Sequence, residues 1–209
     1  MSVKIYDSTI GAFKDAETPL IWDEQAQAWK DSVGLVWNEQ AHAWEERWPA
    51  IKSPLYLYNE GDECTDATGG WNGKGMRSSQ WTGGISTIPT ITKNTDNIYA
   101  TLSSNQLGMV RCLKLIPLSS YSKLCAMLSG YTGSYSSIAL QLYNTLTPGY
   151  IENNVAEIII GSKTSSSITE TIPKCTITLD ISDVTDDCMI AFRLISVTQL
   201  NIYKVWLEK

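Results

Sequence analysis

A repeat in the first fifty residues constrains this chain more than any other feature. Three copies read KIYDSTIGAFKDA, LIWDEQAQAWKDS and LVWNEQAHAWEER. Aligned, each opens on an aromatic residue (Tyr6, Trp22, Trp37) followed by a turn-starting residue (Asp7, Asp23, Asn38). Each then places an alanine (Ala12, Ala28, Ala43) before a second aromatic (Phe13, Trp29, Trp44). An internal period this short has to be read before any fold is assigned. Aromatics seven apart fit one face of a helix, and they also fit facing positions of a hairpin. The first copy separates the two, because Asp-Ser-Thr-Ile-Gly between the aromatics is poor helix and good turn. Pairing Asp7 with Ala12 sets Tyr6 opposite Phe13 and leaves a four-residue loop, a common hairpin length. The same geometry is expected of all three copies.

Cross-strand aromatic pairs stabilise such ribbons by roughly 0.5–1 kcal/mol each. A segment of this size has little core of its own. The indoles of Trp22, Trp29, Trp37 and Trp44 therefore either form the ribbon's own core or face a partner, where Trp is a favoured anchor. His42 is the single histidine of the chain and shares its alignment column with Gly11 and Gln27. That column is a turn, so His42 is a poor catalytic base. Histidine-dependent triads and histidine-based metal sites go with it.

After the proline-bearing stretch RWPAIKSP the texture changes. Residues 53–209 carry a series of strand-like runs, among them LYLYN, NIYATL, SIALQLY and CTITLDIS, separated by turn signals such as SDVTDD. In CTITLDIS the residues Cys175, Ile177, Leu179 and Ile181 fall on one face, with polar residues on the other. That alternation is the mark of a half-buried strand. In LNIYKVWLEK both faces are apolar, as expected of a strand inside a sheet. The expected fold class is all-β: N-terminal β-hairpin repeats over 1–51, then an antiparallel two-sheet jelly-roll sandwich over 53–209.

One segment stands apart. Residues 59–84 hold seven glycines and two tryptophans. Glycine weakens strands, so the segment reads as a long loop on a rigid frame, a common place for ligand sites. Indoles stack on the apolar C–H faces of sugars, while amides and guanidinium groups bond their hydroxyls. Trp71, Asn72, Arg77, Gln80 and Trp81 form such a set, and Tyr131 and Tyr135 in SGYTGSYSS add to it. For Trp71 the alternative is a plug at one end of the sandwich, and for Trp81 too packing and binding both stay open. The acids of NEGDECTD and DISDVTDD are of the type that coordinates calcium, although neither has EF-hand spacing. No other cofactor is expected.

The totals narrow the function further. The net charge is −6 with no cluster of Lys or Arg, which argues against a nucleic-acid partner. No apolar run reaches membrane-spanning length. Five widely spaced cysteines without a CxxC read as free thiols. The start MSVKIYDSTIG lacks a secretory h-region, which points to synthesis in a cytoplasm. No GxSxG, HExxH or P-loop is present, and an enzyme is not expected.

The repeats resemble the short aromatic repeats of structural proteins in tailed phages and prophages of Gram-positive bacteria. LYNEGDECTDATGGW, NIYATL and the closing IYKVWLE resemble jelly-roll modules of tail or baseplate proteins, similar in layout to carbohydrate-binding modules. The resemblance implies a virion tail component that contacts other tail proteins and a host cell-surface glycan, oligomeric and most often trimeric. The alternative is a purely structural adaptor or decoration protein.

Overall fold

The computed structural model describes residues 54–162 and 169–209 in full and, before them, the backbones of six short strands. The chain divides into two units, Met1–Ser53 and Pro54–Lys209. In the first unit β1 (Lys4–Asp7) pairs with β2 (Ala12–Asp15), β3 (Leu20–Asp23) with β4 (Ala28–Asp31), and β5 (Leu35–Asn38) with β6 (Ala43–Glu46). All three pairs are antiparallel and share one register: Tyr6 opposite Phe13, Trp22 opposite Trp29, and Trp37 opposite Trp44. This is the expected hairpin with Asp7 opposite Ala12. Gly11, Gln27 and His42 lie outside the described residues. So do the side chains of Trp22, Trp29, Trp37 and Trp44, and with them the interface expected there.

The second unit is a sandwich. Its strands are β7 (Leu55–Asn59), β8 (Trp71–Gly75), β9 (Ile85–Ser86), β10 (Thr90–Lys93), β11 (Ile98–Leu102), β12 (Gln106–Cys112) and β13 (Ile116–Pro117). There follow β14 (Lys123–Thr132), β15 (Ser137–Tyr143), β16 (Ala156–Ser162), β17 (Glu170–Asp180), β18 (Asp187–Ile195) and β19 (Thr198–Glu208). One short helix, α1 (Thr65–Thr68), precedes β8. The first sheet runs β10-β11-β19-β14-β17, with β7 sharing the β11 edge of β19; the second runs β16-β15-β18-β12-β8. Pairing is antiparallel except for a two-residue parallel contact of β9 with β12.

Alternation places the core between the sheets. Leu124, Ala126 and Leu128 of β14 face Ile138, Leu140 and Leu142 of β15 across a shared interior, and all six are fully buried. On β17 the inward set Cys175, Ile177 and Leu179, continued by Ile181 just past the strand, is more buried than Thr176 and Thr178 between them. The five cysteines are free thiols; Cys112, Cys125 and Cys188 are buried, while Cys64 and Cys175 are half-buried.

Strand β19 departs from simple alternation. Leu200 and Ile202 point inward, and so do Val205 and Leu207. Pairing with β14 jumps from Leu128↔Ile202 to Met127↔Lys204, so Tyr203 is an extra residue. A one-residue bulge exchanges the two faces of everything beyond it. The two-sided apolar character of LNIYKVWLEK comes from this phase change.

The expected loop over 59–84 is corrected in part, because residues 71–75 form a strand. β8 pairs with β12 from Cys112↔Trp71 to Gly108↔Gly75. Its inward positions are Trp71, Gly73 and Gly75, beside inward Gly108. A Cβ on Gly75 would sit 2.8 Å from Ser86 Oγ, and one on Gly108 would sit 2.3 Å from Thr87 O. The segment after β9 lies directly on these strands, and only glycine leaves it room.

Candidate functional site

Trp71 is a core residue, not a ligand platform. It is 2% exposed. Its Nε1 donates to Leu57 O at 2.9 Å, and its ring meets Phe192 at a centroid distance of 6.1 Å. The main-chain N–H of Trp71 donates to Glu63 Oε2 at 2.8 Å, and Lys93 holds the same carboxylate at 2.7 Å. Burial pushes the Glu63 carboxyl up, but these bonds outweigh it and leave the group below its ordinary range.

Ten residues later Trp81 is presented differently. The turn that carries it is pinned by Glu152. That carboxylate accepts bonds from the Ser78 hydroxyl and from the Ser79 N–H at 3.1 Å. Ser78 Oγ in turn accepts the N–H of Trp81 at 2.9 Å. Burial alone would raise the Glu152 carboxyl; the bonds from Ser78 and the following N–H groups prevail and hold it below the usual carboxylate range. One face of the indole lies on Gly84, where a Cβ would come within 2.8 Å of Trp81 Cε3. The half-buried ring then lines a groove of about 470 Å³ with Asn105, Tyr135, Ser137, Ser162 and Ile195.

Sharp turns build this groove. Asn105, Tyr135 and Ser196 all adopt left-handed backbone, with φ of 59°, 52° and 59°. They sit between β11 and β12, β14 and β15, and β18 and β19, at one end of the sandwich. The turns are tied together: Ile85 N–H donates to Asn105 O at 2.7 Å, and Ser196 N–H donates to Gln106 O at 2.7 Å. Left-handed backbone is unfavourable for an aromatic side chain. Tyr135 is also 61% exposed. Two unfavourable features coincide at one residue on the rim of a groove, a pattern that strained functional positions share.

Among the described residues no ionised side chain lines the groove. Beneath it Arg193 Nη2 donates to Ser137 Oγ at 3.0 Å and lies 3.4 Å from Glu157 Oε1. The floor is therefore charge-balanced. Indole and phenol surfaces with an amide and several hydroxyls around them suit a small, neutral, hydroxyl-rich ligand.

Of the expected site residues, Trp81 and Tyr135 meet in this groove. Asn72 and Arg77 are exposed, but neither lines it. Asn72 sits on β8, where its Oδ1 accepts the Gly73 N–H at 2.8 Å. The Arg77 carbonyl accepts the Ile151 N–H at 2.9 Å. Gln80 points into solvent beside the Glu152 pin. Tyr131 is on strand β14, paired with Gln199 and Thr171, and belongs to the outer face of the first sheet. Asn105, Ser137, Ser162 and Ile195 were not anticipated. They come from four separate strand ends, and the one local signal is Ser-Ser-Asn at 103–105, a turn tripeptide.

Of the acids considered for calcium, Asp62 and Asp180 serve their own turns, while Glu60 and Glu63 pair with Lys204 and Lys93. Asp62 Oδ1 accepts the Cys64 N–H at 2.8 Å, and Asp180 Oδ1 accepts both the N–H and the hydroxyl of Ser182. Among the described residues no group of three or more His, Cys, Asp or Glu side chains converges.

No protein-family model and no curated protein matches the chain. Solved structures match in general architecture. The carbohydrate-binding module TmCBM61, solved with β-1,4-galactotriose, covers 74% of this chain and 98% of its own, at 10% identity and a TM-score of 0.38. The K3 cleaved adhesin domain of Lys-gingipain from Porphyromonas gingivalis W83 covers 56% and 77%, at 13% identity and a TM-score of 0.37. The enzymatically active domain of tailspike protein 4 from bacteriophage CBA120 covers 66% of this chain but 19% of its own, at 9% identity and a TM-score of 0.34. At these identities and scores no functional conclusion follows from likeness, and the residues of the groove have to carry it.

Proposed function

We infer that the sandwich is a non-catalytic carbohydrate-binding module that takes a neutral sugar in the Trp81–Tyr135 groove. One observation carries this reading: an indole braced by Gly84 and Glu152 shares with a strained, exposed tyrosine a groove that has no ionised lining group among the described residues. The indole offers a flat face to sugar C–H groups. Asn105 and the serines are placed to bond the hydroxyls that define orientation. A groove of this volume suits one or two sugar rings, so single-site affinity is modest and multivalency is needed for firm attachment.

The hairpin repeats fit the second half of the same proposal. Three aromatic ribbons in one register provide a docking or oligomerising arm, and several copies of a weak sugar site on one particle would act together. A virion tail or baseplate of a phage with a Gram-positive host, with the chain as a trimer among other tail proteins, is the setting we propose. An adaptor without sugar binding is the competing reading. Titration of the purified chain against a broad panel of neutral oligosaccharides separates the two. Saturable binding by the wild type that is lost in Trp81→Ala, with the folded state retained, supports the module. Absence of binding across the panel leaves the adaptor.

A further inference from the structure

The outer face of the first sheet carries a polar surface that shares no lining residue with the Trp81 groove. Five strands contribute one polar row, Thr90–Thr101–Gln199–Tyr131–Thr171, set by direct pairing of each neighbour. A parallel row runs Thr92–Tyr99–Asn201–Ser129. The row of five spans about 19 Å, four strand spacings of ~4.8 Å. A depression of about 460 Å³ lies on it, lined by Ser129, Tyr131, Thr171, Lys174, Gln199 and Asn201 among others.

The polar groups are organised before any ligand arrives. Asn94 Nδ2 donates to Asn97 Oδ1 at 2.8 Å, and Asn97 Nδ2 donates to Asn201 Oδ1 at 2.7 Å. Asn201 Nδ2 continues to Ser129 Oγ at 3.3 Å, which bonds the Tyr203 hydroxyl at 3.2 Å. Such a relay fixes side-chain directions and lowers the entropy lost on binding. The bulge at Tyr203 turns that ring outward, and Lys174 Nζ rests 3.8 Å from its centroid.

Charge decides what kind of chain fits. The protein carries a net charge of −6, yet among the described residues no carboxylate lines this depression. Among the described residues Lys174 is the one ionised lining group, and no ion pair with another described residue holds it. We propose that this face binds an extended acidic glycan laid across the strands, with the anionic substituent on Lys174 and the sugar rings on Tyr131, Gln199 and Asn201. The anion is a uronate carboxylate or a sugar phosphate.

The test uses the full chain and two matched probe pairs: an oligogalacturonate with its uncharged methyl ester, and a phosphorylated mannopentaose with plain mannopentaose. One acidic probe should bind more tightly than its neutral partner, and the difference should shrink with salt. The pair that shows it identifies the anion. Lys174→Gln should weaken the acidic probe about threefold and leave its neutral partner unchanged. Tyr131→Ala should weaken the acidic probe by about tenfold or more. Trp81→Ala should leave this binding intact, so loss of the neutral-sugar groove and loss of this face are read separately. Failure of both acidic probes, equal binding of both members of each pair, or dependence on Trp81 rather than Lys174 would each overturn the proposal.

Discussion

Two tryptophans ten residues apart in one glycine-rich segment have opposite roles. Trp71 is sealed into the core with its N–H satisfied by Leu57 O. Trp81 stands half-buried on a turn pinned by Glu152, with one face on a glycine and the groove beside it. Their surroundings in sequence are alike in kind, glycine and threonine with a small polar residue (Asn72 in one case, Ser78 and Ser79 in the other). The difference comes from pairing. Trp71 is caught at an inward position of β8 by its register with Cys112, whereas the residues around Trp81 have no ladder to join. An indole on a glycine-rich segment becomes core where a neighbouring strand claims its backbone, and becomes a surface feature where none does.

The contrast breaks most visibly at Trp71. Trp71→Ala should destabilise the sandwich by about 3–5 kcal/mol, the usual range for emptying a large aromatic site. Trp81→Ala should cost less, about 1 kcal/mol, because its ring is only half-buried where it meets the core. Denaturant unfolding of the two variants side by side measures this, and equal losses would erase the distinction.

For sugar binding the order reverses. Trp81→Ala should remove about 2 kcal/mol of binding free energy, roughly a thirtyfold loss of affinity. Gly84→Ala should cost a smaller part of it, because the new methyl group displaces the ring it supports. Calorimetric titration with the best neutral oligosaccharide reads both.

Glu152 gives a pH test. Its folded carboxyl titrates below the ordinary glutamate range, so the pin is fully formed above that range and is lost as pH falls through the depressed folded value. Neutral-sugar affinity should therefore hold from neutral pH down to the ordinary glutamate range and fall below it. In Glu152→Gln the affinity at neutral pH should drop severalfold, at about 1 kcal/mol, and the acid dependence should flatten. The smallest expected effect lies on the rim. Tyr135→Asn places a side chain that tolerates left-handed backbone at φ 52° and should raise stability by about 0.5 kcal/mol while weakening sugar binding. A stability loss there would show that Tyr135 packs more than it projects.

Much of the architecture was legible in advance because it rests on local rules. The hairpin register followed from turn chemistry in DSTIG and from the alignment of three copies. Strands β15 and β17 followed from alternation. The phase of β19 was not legible, since its bulge is created by pairing with β14, some seventy-five residues earlier. β8 was not legible because glycine weakens strands, so its sequence fits a loop. Its glycines are demanded by the segment packed on them, a fact of tertiary proximity. Tyr131 and Tyr135 lie four residues apart in SGYTGSYSS, and the strand end between them sends one to the sheet face and the other to the groove.

By itself the sequence determined an all-β chain with two unlike parts and the pairing of the aromatic repeats. Each depends on residues within a few positions of one another, where backbone preference and side-chain period act directly. Tertiary structure alone decided which indole is core and which lines the groove, and which polar residues stand beside it. It also decided where a row of amides and hydroxyls lies free of carboxylates. Those outcomes depend on which distant strands become neighbours, and that is settled by burial of the whole interior at once.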